Sequence, residues 1–358
     1  MLVWLDILTP KQLLFLGELG RQLEKRGYEV FRTARQYREL NDLIKAKEIN
    51  AVIVGKHGGS TLEGKLVASA RRIEELAHII GRLKPALSIA FASPEAARTA
   101  YGLGIPHYTA NDSPHSEAVA RLTIPLAERL FSPSIIPLRR WLRLGAKPSQ
   151  VIRYNGLDPI AWLKTSIPSR RVLDDIGIDD SRPIVVFRME ESFASYLLGR
   201  ADTSSVIVPV VNALAESYKN DIYVVVLPRY VEQVQLASSV LHKSVHVPRT
   251  AIDGTSLLFF TSVFVGAGGT MTAEAALLGT PTISCYPGNP TLMEKYLIRK
   301  KLISRVTESE KIVRRIDYVL KNLGEERRLQ RERATKLTAN MENPVDVMAQ
   351  YVEKSYPP

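Results

Sequence analysis

The chain has 358 residues, of which 45% are hydrophobic and 24% are charged, a composition typical of a soluble globular protein with room for two domains. Its 48 lysines and arginines outnumber its 37 acidic residues, and the net charge of +11 favours anionic partners such as nucleotides, phospholipid surfaces or nucleic acid. The single cysteine, Cys285, excludes an internal disulfide and suits a reducing cytoplasm, and no apolar run is long enough to span a membrane.

Short β-branched runs alternate with longer helical patterns along the chain. Helices are predicted at residues 12–26 and 62–83, and in the second of these Leu66, Leu76 and Ile80 recur at helical spacing. Such alternation predicts parallel sheets covered by helices on both faces. The predicted strands lie at residues 2–5, 28–31, 51–54, 87–91, 107–110, 129–132, 151–154, 184–187, 222–226, 245–247, 263–265 and 282–285.

The alternation pauses at residues 157–181, where prolines and charged residues replace any strand signal. The sequence therefore predicts two Rossmann-like α/β domains, at residues 1–165 and 166–340, facing each other across a cleft. Residues 341–358 are predicted to form a C-terminal helix that packs back onto the first domain. In folds of this kind, ligands bind at the carboxyl ends of the parallel strands.

The segment VFVGAGGTMTAEAA, which starts at Val263, holds more glycines than a turn requires. Glycines allow the backbone to approach a ligand closely, and the N-terminus of the following helix offers N–H groups to a phosphate or diphosphate. Glu274, one turn into that helix, can accept hydrogen bonds from two vicinal hydroxyls such as those of a ribose. The alternative is a capped helix in which Glu274 is only a favourable first-turn charge. The residues predicted to bind phosphate are Gly266, Gly268, Gly269, Thr270 and Met271.

This segment is similar to the nucleotide-sugar loop of GT-B glycosyltransferases, including the N-acetylglucosaminyltransferase that forms lipid II, and of the non-hydrolysing UDP-N-acetylglucosamine 2-epimerases. In that group a glycine-rich turn holds the diphosphate and a glutamate in the next helix holds the ribose. The resemblance places these roles at Gly268, Gly269, Thr270 and Glu274. It implies a GT-B fold, a UDP-sugar as substrate, no permanently bound cofactor and no metal.

The whole chain also resembles an uncharacterised, mainly archaeal family of the same superfold. The stretches that carry this resemblance are VWLDI, GKHGGST, SPEAARTAYGLGIPHYTANDSPH, FSP and GAGGTMTAEAA. They are spread over nearly the full length of the chain, so the resemblance concerns both predicted domains.

Arg188, which follows the strand predicted at 184–187, can bind a diphosphate bidentately, and Glu190 and Glu191 can orient it. The resemblance places a catalytic histidine of the epimerases at the position of Arg188. The aspartate of their first-domain loop also has no counterpart in FASPEAA at residues 91–97. Both differences argue against epimerase chemistry.

Polar residues follow the strand predicted at 107–110, where a general base is expected. The candidates are Asp112, His115 and Glu117. The resemblance also places a glutamate of the epimerases at Glu117. A solvated loop in which Asp112 caps a helix is the alternative.

Two further segments carry open alternatives. The segment from Gly55 to Thr61 predicts either a tight turn with a helix cap or a loop that lines the cleft through Lys56, His57, Gly58 and Gly59. The segment from Pro137 to Lys147 predicts an ordinary amphipathic helix or a peripheral membrane contact for a lipid-linked acceptor.

The sequence therefore predicts a metal-independent GT-B glycosyltransferase, cytoplasmic or peripheral at the membrane, that uses a UDP-sugar donor. An isomerase like the epimerases and a non-catalytic binder of nucleotide-sugars or polyanions are the alternatives. The sequence has no RNA-binding aromatic signature and no cysteine and histidine cluster for zinc, which argues against nucleic acid as a partner.

Overall fold

A computed structural model describes residues 1–190, 205–228, 231–248 and 252–358 of the protein. The chain divides into two compact units, one formed by Met1–Lys164 with Met341–Pro358 and the other by Thr165–Asn340. Each unit is built around one parallel sheet.

The first unit has seven strands: β1 (Leu2–Ile7), β2 (Glu29–Gln36), β3 (Val52–Lys56), β4 (Leu87–Phe91), β5 (His107–Ala110), β6 (Arg129–Pro133) and β7 (Val151–Tyr154). Their order in the sheet is β3-β2-β1-β4-β5-β6-β7. The helices between them are α1 (Pro10–Lys25), α2 (Arg38–Ala46), α3 (Leu62–Leu83), α4 (Pro94–Gly102), α5 (Glu117–Thr123), α6 (Leu138–Leu142) and α7 (Ile160–Leu163).

The position of each strand follows from its composition. Strands β1 and β4 are almost wholly apolar and buried on both faces, as expected for inner strands of a helix-covered parallel sheet. On β3, Val52 and Ile53 are exposed, in keeping with its place at the edge. Helix α1 begins with Thr9 as its N-cap and Pro10 in its first turn, where a proline costs no hydrogen bond.

The second unit has five strands: β8 (Ile184–Arg188), β9 (Tyr223–Leu227), β10 (Val263–Gly266), β11 (Thr282–Ser284) and β12 (Ile303–Arg305). Their order is β12-β11-β10-β8-β9. The helices of this unit are α8 (Arg171–Ile176), α9 (Ile207–Tyr218), α10 (Val231–Val240), α11 (Gly254–Phe260), α12 (Thr270–Leu277), α13 (Leu292–Arg299), α14 (Ser309–Lys321) and α15 (Leu323–Thr338).

The last helix, α16 (Pro344–Ser355), belongs to the first unit and packs against α1. Its residues Val345, Met348 and Val352 are buried in the same core as the apolar face of α1. Polar contacts anchor the helix further, because Gln22 donates to the carboxylate of Asp346 at 2.6 Å.

The strand prediction was wrong at two places in the second unit. Residues 245–247 form only an isolated bridge with β9, in which the His246 N–H donates to Val224 and the His246 carbonyl oxygen accepts from the Val226 N–H. Strand β12 was not predicted, because its three residues include the polar pair Ser304 and Arg305 and give no alternating apolar pattern.

A buried ion pair holds the elements around the end of β1 together. The guanidinium of Arg72, on α3, donates to both carboxylate oxygens of Asp6 at 2.6 and 3.0 Å, and both residues are fully buried. The hydroxyls of Thr33 on β2 and Ser93 at the start of α4 also donate to Asp6, at 2.6 and 2.7 Å. Burial opposes ionisation of Asp6, but Arg72 and these hydrogen bonds outweigh it, and the pKa of Asp6 is lowered.

Replacing Asp6 should destabilise the first unit more than replacing an exposed carboxylate does. The change Asp6→Asn leaves the Arg72 charge buried and uncompensated, and we expect a loss of about 3–5 kcal/mol in the free energy of unfolding. As a matched control, Glu332→Gln removes an exposed pair with Arg328 and should cost less than about 1 kcal/mol. Guanidinium chloride titrations measure both values, and equal losses would contradict a structural role for the buried pair.

Candidate functional site

Strand β10 ends in a turn that glycines form without strain. Gly268 and Gly269 have φ angles of 85° and 90°, in the left-handed region that side chains disfavour. At Gly266 the reason is steric, because a Cβ atom there would lie 2.4 Å from the Thr272 hydroxyl. The high glycine content of this segment is therefore a backbone requirement at the carboxyl edge of the second sheet.

Helix α12 begins directly after this turn. Its N-cap residue is Gly269, which has no side chain to accept from the first-turn N–H groups, and the Thr272 hydroxyl donates to the Gly268 carbonyl oxygen at 3.3 Å. The neighbouring helices α11 and α13 are instead capped by the side chains of Asp253 and Thr291. The start of α12 thus has the backbone arrangement that binds phosphate groups at the positive end of a helix dipole.

Thr270 and Met271 form the start of the helix and differ in their surroundings. Thr270 is partly exposed beside the glycine turn. Met271 packs against the core of the second unit, and its methyl carbon would lie 3.3 Å from a Cβ atom at Gly254. Met271 therefore contributes its backbone N–H to the first turn rather than a polar side chain.

Glu274 lies one turn into α12 and is almost entirely inside the protein. The residue is 4% exposed, and the Thr255 hydroxyl on α11 donates to its Oε2 at 3.2 Å. A first-turn charge that only complements a helix dipole acts at the surface, whereas burying a carboxylate is costly unless it is hydrogen-bonded. The placement of Glu274 therefore favours a specific hydrogen-bonding role over a general electrostatic one.

Arg188 ends β8 directly beside the glycine turn. Its Cα atom is paired with that of Gly266 across the β8–β10 ladder. Its guanidinium donates to the carbonyl oxygen of Pro228, after β9, at 2.8 Å. The tertiary structure therefore places a fixed cation on the strand next to the predicted phosphate-binding turn.

Of the two glutamates predicted to orient Arg188, Glu190 binds donors at the start of α9. The carboxylate of Glu190 accepts from the Ser205 hydroxyl at 3.1 Å and from the Val206 N–H at 3.0 Å, at the start of α9. Glu190 therefore accepts from donors at the start of α9, as an N-terminal cap does. Glu191 lies outside the described residues.

Three charged side chains meet at the carboxyl edge of the first sheet. Lys11 follows β1, Asp112 follows β5 and Asp158 follows β7. The Nζ atom of Lys11 lies 2.6 Å from Oδ2 of Asp112 and 2.7 Å from Oδ2 of Asp158. The hydroxyl of Tyr154, the last residue of β7, donates to Asp158, and that of Ser113 donates to Asp112. We call Lys11, Asp112, Asp158 and Tyr154 the lysine–aspartate cluster.

Sequence reasoning identified Asp112 and missed the other three members of this cluster. A signal for them exists, because Lys11 and Asp158 each follow a predicted strand within a few residues. Parallel strands end at the same edge of a sheet, so polar residues after any of them are candidates for one site. What the sequence lacked was the strand order, which determines which of these loops are neighbours.

The two carboxyl groups of the cluster have pKa values shifted in opposite directions. Burial raises the pKa of Asp158 to about 7, with Asp112 adding to the rise and Lys11 opposing it. Burial also opposes ionisation of Asp112, but Lys11 and hydrogen bonds outweigh it, and the pKa of Asp112 is lowered. Strongly interacting groups of this kind titrate as a pair. Below about pH 7 the pair therefore holds one proton.

The other two base candidates differ in exposure. Burial lowers the pKa of His115, with Asp112 and Lys11 as its charged neighbours, so its imidazole is neutral at pH 7. Glu117 has a side chain that is 70% exposed, and its carboxylate lies 4.0 Å from Arg121 one turn along α5. The structure thus brings Asp112 and His115 together and leaves Glu117 on the surface.

The segment from Gly55 to Thr61 is a tight turn into α3. A Cβ atom at Gly58 would lie 2.4 Å from the Gly64 carbonyl oxygen, so the turn packs directly on the helix backbone. Thr61 is the N-cap residue, and its hydroxyl accepts from the Gly64 N–H at 3.0 Å. These contacts provide the helix-capping role that the sequence left open.

Lys56 and His57 of this turn are the side chains that would line a ligand site under the other alternative. The Nδ1 atom of His57 accepts from the Gly59 N–H at 3.1 Å. Burial, together with the charges of Arg35 and Lys65, lowers the pKa of His57 to about 4. His57 is therefore a neutral acceptor engaged within the turn, whereas Lys56 is exposed at the end of β3.

The segment from Pro137 to Lys147 places most of its apolar side chains inside the protein. Trp141 and Leu144 are buried, and the Trp141 indole donates to the Ser132 hydroxyl at 2.8 Å. Only Leu142 of the segment is a large exposed hydrophobic residue. The predicted membrane contact thus lacks the apolar face that such a helix inserts.

The described residues contain neither a metal-ligand cluster nor a membrane-spanning helix. Within these ranges, no three His, Cys, Asp or Glu side chains are grouped so that they could hold a metal ion. No helix in the same ranges is long and apolar enough to cross a membrane.

Solved structures with this fold include enzymes of two reaction types. The UDP-GlcNAc 2-epimerase from Neisseria meningitidis bound to UDP-GlcNAc has a TM-score of 0.73 with 17% sequence identity, over 99% of this chain and 100% of that chain. The spinosyn rhamnosyltransferase SpnG has a TM-score of 0.64 with 15% identity, again over 99% and 100% of the two chains. These similarities confirm the predicted GT-B fold.

Sequence comparison identifies the family. The chain is 31% identical over 355 residues to the "Uncharacterized protein MJ0665" of Methanocaldococcus jannaschii, and the match covers 98% of this chain and 97% of that protein. A family model described as "Protein of unknown function (DUF354)" matches residues 1–352. The chain therefore belongs to the DUF354 family, whose fold in this member is the GT-B fold of UDP-GlcNAc 2-epimerases and glycosyltransferases.

Proposed function

We propose that the protein is a glycosyltransferase that uses a UDP-sugar or a similar nucleotide-sugar donor. The second unit binds the nucleotide, and the first unit binds the acceptor, which is unknown and can be lipid-linked. The observation that carries the proposal is the start of α12, where two glycines with positive φ precede a helix whose N-cap residue has no side chain.

The diphosphate of the donor fits this helix start chemically. First-turn N–H groups and the helix dipole favour an anion there, and glycines allow it to approach the backbone. Arg188, on the adjacent strand opposite Gly266, adds a guanidinium suited to two phosphate oxygens. The Neisseria enzyme of the same fold is bound to UDP-GlcNAc, which supports a UDP-sugar as the ligand.

The ribose of the donor fits Glu274. Its carboxylate is oriented by the Thr255 hydroxyl and lies one helical turn beyond the glycine turn. A carboxylate accepts hydrogen bonds from two vicinal hydroxyls, and such charge-assisted bonds are strong in a site with little water. Glu274 follows Thr270 by four residues on the same helix, so we place the diphosphate and the ribose of one nucleotide at these two positions.

In glycosyl transfer the acceptor hydroxyl attacks the anomeric carbon while the bond from that carbon to the diphosphate breaks. Negative charge then develops on the leaving diphosphate, where Arg188 and the α12 N–H groups would stabilise it. A base in the first unit takes the hydroxyl proton, and the candidates are Asp112, His115 and Glu117. Among these, Asp112 and His115 lie together at the carboxyl edge of the first sheet.

An epimerase-like isomerase is the second candidate, favoured by the higher TM-score of the Neisseria epimerase than of the rhamnosyltransferase. Against it, no aspartate occupies the loop after β4. In that loop the Ser93 hydroxyl donates to Asp6 and accepts from the Ala96 N–H of α4. A non-catalytic binder of nucleotide-sugars or polyanions is the third candidate, consistent with the net charge of +11.

Product analysis separates the three candidates. The purified protein is incubated with a panel of UDP-sugars, with and without simple sugar and polyprenyl-phosphate acceptors. We expect free UDP whose formation depends on an acceptor, together with a glycosylated product. An epimeric UDP-sugar formed without acceptor would identify an isomerase, and binding without any product would identify a non-catalytic protein.

Removing the Glu274 carboxylate should weaken nucleotide binding. At least one charge-assisted bond of about 1.5–3 kcal/mol is lost, so Glu274→Ala should raise the dissociation constant for UDP by roughly tenfold to a hundredfold or more. Glu274→Gln keeps one acceptor oxygen and should have a smaller effect. Isothermal titration calorimetry measures the affinities.

A matched control and a stability measurement complete this test. The variant Glu310→Gln changes an exposed carboxylate paired with Arg314 and should leave UDP affinity unchanged. Because Glu274 is buried, the free energy of unfolding is measured for every variant in parallel. Unchanged UDP affinity in folded Glu274→Ala would remove this residue from the nucleotide site.

Arg188 should affect turnover more than nucleotide affinity. Losing a donor that stabilises transition-state charge typically costs about 10²–10³-fold in turnover, so we expect a decrease of this order for Arg188→Ala. Arg188→Lys keeps the charge without the bidentate geometry, so its turnover should lie between those of the wild type and Arg188→Ala. Steady-state rates of UDP release measure this order, and a turnover equal to that of the wild type in Arg188→Ala would contradict the role.

A further inference from the structure

The lysine–aspartate cluster has one more carboxyl group than its lysine can neutralise. Both Asp112 and Asp158 contact the same Nζ atom of Lys11, at 2.6 and 2.7 Å. Two ionised carboxylates at one buried ammonium would leave a net negative charge away from water, which is costly. The arrangement is therefore neutral when the two carboxyl groups share one proton.

The side chains of the cluster differ in their exposure to solvent. The Asp158 side chain is 0% exposed, whereas those of Asp112 and Lys11 are 13% and 18% exposed. A solute can thus reach Asp112 but not Asp158. The groups that face the pair are Lys11 from α1, His115 from the loop after β5 and Tyr154 from β7.

A purely structural cluster would not need the second carboxyl group. An asparagine at position 158 could accept from Lys11 and from Tyr154 with its amide oxygen and would add no charge. Replacing a buried ion pair by well-packed hydrophobic residues of similar volume is often neutral or stabilising for a protein. The second carboxyl group adds a capacity that anchoring does not require, namely the uptake and release of a proton.

We infer that Asp158 is a positioning residue that shares one proton site with Asp112, and that this pair accepts the proton of the acceptor hydroxyl. The inference rests on the proposed glycosyl transfer. The acceptor oxygen forms a bond to the anomeric carbon, and the bond from that carbon to the diphosphate oxygen breaks with its electron pair leaving on UDP. The hydroxyl proton passes to Asp112, the exposed member, and is then shared with Asp158.

The electrostatics of the cluster agree with this role. Asp112 is the weaker base of the two, because its burial is outweighed by Lys11 and hydrogen bonds, which lower its pKa. Burial raises the pKa of Asp158 to about 7, so the pair changes its proton content near neutral pH. A base whose pKa is near the working pH is the most effective in proton transfer.

The first test is the pH dependence of turnover. Wild-type UDP release in the presence of an acceptor should rise with pH through an inflection near 7, as the pair loses its proton. Asp158→Asn should lower turnover by about 10²-fold or more and remove this inflection, with UDP affinity unchanged. A structural role alone would leave the inflection in place.

A second variant, Tyr154→Phe, tests the inference independently in case Asp158→Asn does not fold. Tyr154→Phe removes a hydrogen bond that stabilises the ionised pair, so it should shift the inflection to higher pH while keeping both carboxyl groups. An inflection that stays at the wild-type pH in Tyr154→Phe would overturn the inference, whether or not Asp158→Asn folds.

The shared proton can also be measured without any ligand. The pKa of Asp158 is about 7 in the folded protein and 3.8 in the unfolded chain. Between these pH values only the folded protein holds a proton on the pair, so unfolding releases that proton. Raising the pH through this window should therefore favour unfolding, by about tenfold in the equilibrium constant per pH unit from this group. Asp158→Asn should remove this contribution, and Glu310→Gln should retain it.

These measurements separate the inference from the proposed function. A wild type that binds UDP and transfers sugar, but whose unfolding releases no proton that depends on Asp158, overturns the inference alone. A wild type that binds no nucleotide contradicts the proposed function and the inference with it, even if the proton release is observed. Proton release, normal UDP affinity and a lost inflection in Asp158→Asn together support both.

Discussion

All strands in each sheet run parallel, and this constraint determines where the chemistry of the protein can lie. Every strand of a parallel sheet ends at the same edge, so the loops that follow them are neighbours there. In the first unit Lys11 and Asp158 are separated by 147 positions and yet lie 2.7 Å apart. In the second unit Arg188 and Gly266 are brought opposite each other in the same way.

Buried polar groups at the carboxyl edges of the two sheets are balanced in three different ways. Around the end of β1, the charge of Asp6 is balanced by Arg72 and by two hydroxyl donors, and the result is a closed, structural network. The lysine–aspartate cluster, by contrast, is balanced only if it holds a proton. In the second unit the turn before α12 carries no charge of its own, and its glycines leave the helix start without a side-chain cap.

Two motifs that look alike in the sequence have different helix starts in the structure. Both GKHGGST and GAGGT join a strand to a helix through glycines. The first is closed by Thr61 and by direct packing of Gly58 on α3. The second has a glycine at the N-cap position. The difference between an internal turn and a candidate anion site therefore depends on the residue that occupies the N-cap.

The sequence by itself determined the α/β class and most strand positions, because apolar periodicity and glycine turns are local properties of the chain, and its resemblance to GT-B enzymes implied the GT-B fold. It also indicated Glu274, Arg188 and Asp112 by their positions after strands. Only the tertiary structure decided that Asp112 shares a lysine with Asp158, that Trp141 is buried and that Glu274 is held by Thr255. These facts depend on strand order and on packing between distant segments, which local patterns do not encode.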